Sequence, residues 1–409
     1  MLFFIYDLVI QIAIFSLKII ALFSPKIKLF VEGRKPVFEI LASKIKANDK
    51  TIWFHAASLG EYEQGLPVIE KMKERFPNHK IVVTFFSPSG YEVRKNNSVA
   101  DVTVYLPLDA KKNAQQFLKL VHPEMAFFIK YEYWPNYLNE LRKLETSTYL
   151  ISGIFRENQL FFKWYGGFYR KALETFTYFF VQNESSKKLL LDLGKTNVAV
   201  SGDTRFDRVA SILEKDNTLD FIETFKNGTL TIVVGSSWPK DENLLVDYIN
   251  QTSDKIKFII APHNIKEEQI QELKNSISKK VVLFSEKSTK NLADFDVFII
   301  DTIGILTKIY SYADIAYVGG GFGHPGVHNI LEPATFGIPI LIGPHFSHFA
   351  EATDLVALKG CVTIQNKEEL SRNFLDLITN TESRIQKGTI CRDFVQKNKG
   401  AVDRIMKKI

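Results

Sequence analysis

Cysteine is nearly absent. The 409 residues include two, Cys361 and Cys391, in no metal-like pairing. That excludes a disulfide scaffold and fits a reducing compartment. There is no G-x-x-x-x-G-K-[ST] phosphate loop and no G-x-S-x-G nucleophile elbow. His324 and His328 are four apart but flank a Gly-Pro loop and lack the acid of H-E-x-x-H, so no metal is expected. Low-complexity segments and short tandem repeats are missing. The net charge of +6 is a modest excess. It suits phosphates or anionic lipid better than a dedicated nucleic-acid binder.

What is present reads as a folded protein. Hydrophobic residues make up 45% and charged residues 24%, and the length suffices for two domains with their own cores. Residues 1–23 are almost wholly apolar, interrupted by Asp7, Gln11 and Lys18. The run is long enough to span a bilayer but lacks the basic start and small-residue cleavage site of a signal peptide. Asp7, Gln11 and Lys18 share one helical face, which favours a helix lying in the membrane interface, or a short anchor, over a clean span. Lys26, Lys28, Arg34 and Lys35 follow as a basic flank suited to anionic lipid. The competing reading is a buried first helix.

From residue 51 short apolar runs alternate with amphipathic stretches. "TIWFHAAS", "KIVVTFFS", "DVTVYLPL", "EMAFFIKY", "STYLISGI", "YFFVQN" and "VAVSGD" read as strands with helices between them. Wholly apolar strands alternating with helices imply a parallel sheet covered on both faces. The series restarts at "TLTIVVGSS" and continues through "KFIIAPHN", "VVLFS", "DVFIID", "IAYVGGG" and "PILIGP". The fold expected is α/β: two Rossmann-like domains facing a cleft, behind a membrane-associated helix. The divisions expected are 1–35 for the helix and its flank, 36–206 for the first domain, 207–228 for a polar helical connection and 229–409 for the second domain.

Candidate functional residues fall at strand ends, where open parallel sheets bind ligands. Gly321, Gly323 and Gly326 have the G-x-G-x-x-G spacing. However, they sit late in the second half, Pro325 interrupts them, and no acid ends the next strand, so a dinucleotide is not expected. Glycines there suit close backbone approach to a ligand. Asn329 would cap the following helix and aim its free N–H groups at a phosphate. Glu332, one turn in, would accept from ribose hydroxyls. In "HAASLGEYE", Ser58 and Gly60 shape a turn, and Glu61 opens a helix as a candidate general base. Without a ligand, that glutamate merely complements the helix dipole. Glu132 and Trp134 follow another strand. Arg205 could reach a phosphate. Gly235, Ser236 and Ser237 form a second phosphate-type turn, and Pro262 and His263 end the next strand.

Together these blocks resemble the 3-deoxy-D-manno-octulosonic acid (Kdo) transferases of lipopolysaccharide synthesis, which have the GT-B fold. "HAASLGEYEQGLPVI", "TFFSPSGYE", "YEYWPN", "GDTRFD", "GSSWPKDE" and "HNILEPATFGIPILIGPHFSHFAEA" occur in the family order. The resemblance implies inverting, cofactor-free and metal-free transfer of Kdo from CMP-Kdo to the lipid A precursor at the cytoplasmic face of the inner membrane. It makes Glu61 the base. Arg205, the Gly235, Ser236 and Ser237 turn, Pro262, His263, Gly321, Gly323, His328, Asn329 and Glu332 are the residues expected to bind the donor. Ser58, Gly60, Glu132 and Trp134 are expected to line the cleft or acceptor site. Two blocks depart from the pattern. Pro262-His263-Asn264 replaces Pro-Arg-His, and Lys130 replaces the first acid of E-T-E-x-W-P, so only Glu132 remains. The nearest alternative is another GT-B enzyme acting on a UDP-sugar.

Overall fold

A computed structural model describes residues 2–96, 98–324 and 326–409. Met1, Asn97 and Pro325, the proline interrupting the glycine motif, lie outside the described residues. The chain forms two compact units, Met1–Arg208 with Lys399–Ile409, and Val209–Asn398.

The first unit is built on seven parallel strands: β1 (Lys50–Ala56), β2 (His79–Phe85), β3 (Val102–Tyr105), β4 (Pro123–Ile129), β5 (Ser147–Gly153), β6 (Tyr178–Val181) and β7 (Val198–Val200). Their order is β3-β2-β1-β4-β5-β6-β7. Alternation along β1 sends Trp53 into one core layer and Ile52, Phe54 and Ala56 into the other, so both sheet faces are buried, as the apolar runs require. Proline opens several helices, at Pro88, Pro135 and Pro239, where its missing N–H costs nothing.

The second unit repeats the plan with β8 (Thr231–Ser237), β9 (Lys257–Pro262), β10 (Val281–Leu283), β11 (Val297–Ile299), β12 (Ile315–Val318), β13 (Ile340–Ile342) and β14 (Cys361–Thr363). The order is β10-β11-β9-β8-β12-β13-β14, all parallel. The switch points, where strand order reverses, lie between β1 and β4 and between β8 and β12. Both cysteines are free and buried.

Three local expectations need correction. The connection is not one polar helix: it breaks into Thr204–Ala210, a 3-10 turn Ser211–Glu214 and Asp220–Lys226, and the last buries Ile222 and Phe225. The end of the chain does not stay with the second domain. Helix Ala401–Met406 places Val402 and Ile405 in the layer with Tyr62, Leu66 and Ile69, and the N–H groups of Gly400 and Ala401 donate to the Asp207 carboxylate at 2.8 and 3.0 Å.

The third concerns the amino terminus. Helix Leu2–Ile20 exposes Phe4, Leu8, Ile12 and Phe15, so it is not a buried core helix. It is long and apolar enough to cross a membrane. Yet its opposite side is docked: Tyr6 donates to Asp109 at 2.8 Å, and Asp7 accepts from Lys111 N–H at 2.8 Å. Asp7 therefore caps a neighbouring helix and is not part of a free polar stripe. Arg34 also leaves the basic flank. It donates to the carbonyls of Phe30, Phe86 and Leu106 and lies over the Phe30 ring. Burial pushes it down to about 9.

Candidate active site

At the first switch point β1 ends at Ala56, and Ser58 is the N-cap of helix Leu59–Arg75. Ser58 and Glu61 have the spacing of a capping box, but the box is not formed. Instead the Ser58 hydroxyl donates to the Glu61 carboxylate. That hydrogen bond holds a half-buried carboxylate in the first helical turn, at the carboxyl end of the sheet's first strand. Gly60 is exposed beside it.

Across the switch point β4 runs into Lys130, a non-glycine residue at φ 71°, a strained conformation of the kind found at functional sites. It turns the chain so that Glu132 points back at β1. His55 is fully buried. Its Nδ1 lies 2.9 Å from Thr84 Oγ1, and its Nε2 lies 3.0 Å from Glu132 Oε2. Trp53 Nε1 donates to Thr84 at 2.8 Å, and Trp134 Nε1 donates to Glu132 Oε2 at 2.7 Å. One assignment satisfies the whole chain. The Thr84 hydroxyl donates to Nδ1, and the His55 proton sits on Nε2 and donates to Glu132. The imidazole is thus a rigid strut under the Glu132 loop. His55 was not singled out from the sequence, although a histidine inside an otherwise apolar strand, three residues before Ser58, was a usable signal.

Arg205 lies in the first unit. Its Nε donates to Asp203 at 2.8 Å, and Asp203 also accepts from Gln64 at 3.0 Å. Burial alone would raise the Asp203 carboxyl, but Arg205 and these hydrogen bonds hold it below its ordinary range.

At the second unit's switch point, β8 ends in Gly235, Ser236 and Ser237, with Ser236 at φ 53°. The indole of Trp238 stacks on His263 at 4.7 Å, and His263 stacks on His328 at 4.4 Å. Trp238 Nε1 donates to His328 Nε2 at 2.7 Å, which puts the His328 proton on Nδ1. Burial, then the neighbouring His263, push His328 down to about 4. Burial also lowers His263. Pro262, at the end of β9, positions His263, whose N–H donates to Ser237 O at 2.9 Å.

Beneath this stack lies Asp241, fully buried and also missed from the sequence. Its Oδ1 accepts from the Tyr317 hydroxyl at 2.7 Å. Its Oδ2 accepts from Gly320 N–H at 2.9 Å and Trp238 N–H at 3.0 Å. It ties the start of helix Pro239–Gln251 to the glycine turn after β12. The glycines of that turn, expected to let backbone approach a ligand, also have a packing role. A side chain on Gly320 would strike Gly326 O and the His328 ring, and one on Gly321 would strike the backbone of Gly343. The glycines let two loops pack together. Gly323 closes the turn, its N–H donating to Gly320 O at 2.9 Å.

Asn329 is not the N-cap. That position is Ile330, before the short helix Leu331–Thr335. Asn329 Oδ1 still accepts from Leu331 N–H at 3.1 Å, and its amide donates to Glu332 Oε1 at 3.1 Å. Thr307 donates to Glu332 Oε2 at 2.9 Å. Asn329 and Glu332 are thus brought together as a pre-oriented polar pair.

The 3-deoxy-D-manno-octulosonic-acid transferase (kdotransferase) family matches residues 34–208. Over 370 residues the chain is 29% identical to 3-deoxy-D-manno-octulosonic acid transferase of Chlamydophila psittaci, covering 86% of this chain and 83% of that protein. It is 26% identical to the enzyme of the same description from Rickettsia bellii over 371 residues, covering 88% and 87%. Among solved structures, UDP-GlcNAc 2-epimerase from Neisseria meningitidis bound to UDP-GlcNAc superposes with a TM-score of 0.60 at 16% identity, covering 87% of this chain and 98% of that one. That likeness speaks for the fold alone. With two sheet-centred lobes, an amino-terminal apolar helix and homology over most of its length, this chain is a GT-B-fold glycosyltransferase homologous to the 3-deoxy-D-manno-octulosonic-acid transferases.

Proposed function

We propose that the protein transfers Kdo from CMP-Kdo to a hydroxyl of the lipid A precursor, lipid IVA, with inversion, at the cytoplasmic face of the inner membrane. The observation that carries the reading is the Glu61 carboxylate at the end of β1, oriented by Ser58. It stands in a chain homologous to such transferases. Glu61 takes the acceptor hydroxyl's proton as the oxygen attacks the anomeric carbon. The bond from that carbon to the CMP phosphate breaks, and CMP leaves with the electron pair. The turn of Gly235, Ser236 and Ser237, with Arg205, stabilises the departing phosphate. His263, His328, Asn329 and Glu332 hold the nucleotide, with Glu332 on the ribose. Glu132 and Trp134, braced by His55, shape the acceptor side.

The UDP-sugar alternative rests on the fold shared with UDP-GlcNAc 2-epimerase. Donor competition separates the two. Calorimetric titration should show CMP binding and UDP failing at the same concentration. Tight UDP binding without CMP binding would overturn the proposal.

A further inference from the structure

The loop between the 3-10 turn Leu160–Phe162 and helix Gly167–Leu173 reads K-W-Y-G. Trp164 is 90% exposed and Tyr165 57%, and their rings meet edge to face at 5.4 Å. A large aromatic pair in water costs solvation free energy and marks a binding surface. The loop is not a slack tether. Arg170 Nη1 donates to the carbonyls of Phe161 and Lys163 at 3.0 and 2.9 Å, Gly166 N–H donates to Lys163 O at 2.9 Å, and Phe161 is buried. The turn is braced from behind and presents its aromatic tip outward.

Four residues past Trp164, Phe168 packs against Phe3 at 4.8 Å and Tyr6 at 5.4 Å. Both partners belong to the apolar amino-terminal helix, so loop and helix share one attachment point. The helix keeps Phe4, Leu8, Ile12 and Phe15 uncovered. Around the loop, residues 156–171 contain Arg156, Lys163, Arg170 and Lys171 against the single acid Glu157.

We infer that the Trp164–Tyr165 loop is a second membrane contact, seated in the interfacial layer of an anionic bilayer beside the amino-terminal helix. This rests on the membrane reading of that helix. Three observations favour a bilayer as the occupant. The loop is continuous with the apolar helix through Phe168. Its tip pairs Trp with Tyr, the residues that favour the lipid–water boundary. Its flank is basic, as attraction to anionic headgroups requires. Two membrane contacts, the helix and the loop tip, stop rotation about the helix axis. They also bring to the lipid surface a groove of about 480 Å³ lined by Tyr131, Tyr133, Arg156, Gln159 and Leu160, next to the Glu132 loop, where an amphiphilic acceptor would enter.

The test uses full-length protein with phosphatidylcholine vesicles, with and without phosphatidylglycerol, and tryptophan quenching by phosphatidylcholine brominated along its chains. Trp53 is buried, and Trp134 and Trp238 are partly buried. Bromolipid should therefore quench wild type, and Trp164→Phe should lose most of that quenching with an unchanged melting curve. Trp164→Ala with Tyr165→Ala should weaken partition onto anionic vesicles by about tenfold. Wild type that floats with vesicles but is quenched no more than Trp164→Phe overturns the loop assignment alone. Wild type that fails to float overturns both the loop and the membrane reading of the helix.

Discussion

Replacing Asp241 tests whether one buried carboxylate organises the proposed donor side. In Asp241→Ala, the N–H groups of Gly320 and Trp238 and the hydroxyl of Tyr317 lose their acceptor. A buried donor left unsatisfied costs about 1–3 kcal/mol, so the three together cost roughly 3–9 kcal/mol where little water can enter. For a unit of this size, that lowers the melting temperature by at least about 6 °C. Asp241→Asn should behave differently. Its amide oxygen can take the Oδ2 position and accept both N–H groups, and its NH₂ can face Tyr317, whose hydroxyl turns to accept. Burial pushes the Asp241 carboxyl above its ordinary range, so the amide also removes a desolvated charge. The expected cost is under about 1.5 kcal/mol. Differential scanning calorimetry of the wild type, Asp241→Asn and Asp241→Ala reads the series. If Asp241→Ala melts within about 2 °C of wild type, or Asp241→Asn falls as far as Asp241→Ala, the bridging role is wrong.

Further outcomes follow from the same geometry. His55→Phe removes the strut under Glu132 while filling the space. Turnover should fall by about a hundredfold, as displacement of a positioned group does, with CMP affinity unchanged; a matching loss of CMP affinity would point to general misfolding. Glu332→Ala should weaken CMP by roughly ten- to a hundredfold, the loss of about 1.5–3 kcal/mol per charge-assisted hydrogen bond, and an equal loss for 2′,3′-dideoxy-CMP would show that the ribose is not what it reads. His328 is depressed to about 4 by burial and His263, so below pH ~6.5 the unfolded chain binds a proton that the native state refuses. Its contribution to stability is present above that pH and is lost as pH falls toward 4. The melting temperature of His328→Gln, which keeps an acceptor for Trp238, should therefore fall less than that of wild type over this window, and parallel curves would contradict the assignment.

Much of the fold was legible because wholly apolar runs of this length have few other uses. The expected strands from "TIWFHAAS" to "PILIGP" all formed, with ends trimmed by a few residues. β14 escaped notice because three residues, Cys361–Thr363, show no periodicity. The crossing of Ala401–Met406 to the first unit is a long-range packing event that local pattern does not carry. At the site, motif spacing located the strand ends but not the hydrogen bonds. His55 and Asp241 are buried polar groups whose value depends largely on partners 29 to 79 residues away. The glycine run was read as room for a ligand, and the close packing of Gly320 and Gly321 against the protein's own loops was not legible from spacing. Arg34 counted as a surface cation because nothing in the sequence shows the three carbonyls and the rings that enclose it.

The most direct test of the central claim incubates purified full-length protein with CMP-Kdo and lipid IVA and reads the lipid by mass, with Glu61→Gln alongside. Wild type should yield lipid IVA enlarged by Kdo residues with release of CMP. Glu61→Gln should bind CMP normally and yield about 10²–10⁴-fold less product, the loss expected for a missing general base. A wild type that leaves lipid IVA unchanged, or a Glu61→Gln variant that retains more than about a tenth of the turnover, would contradict the account.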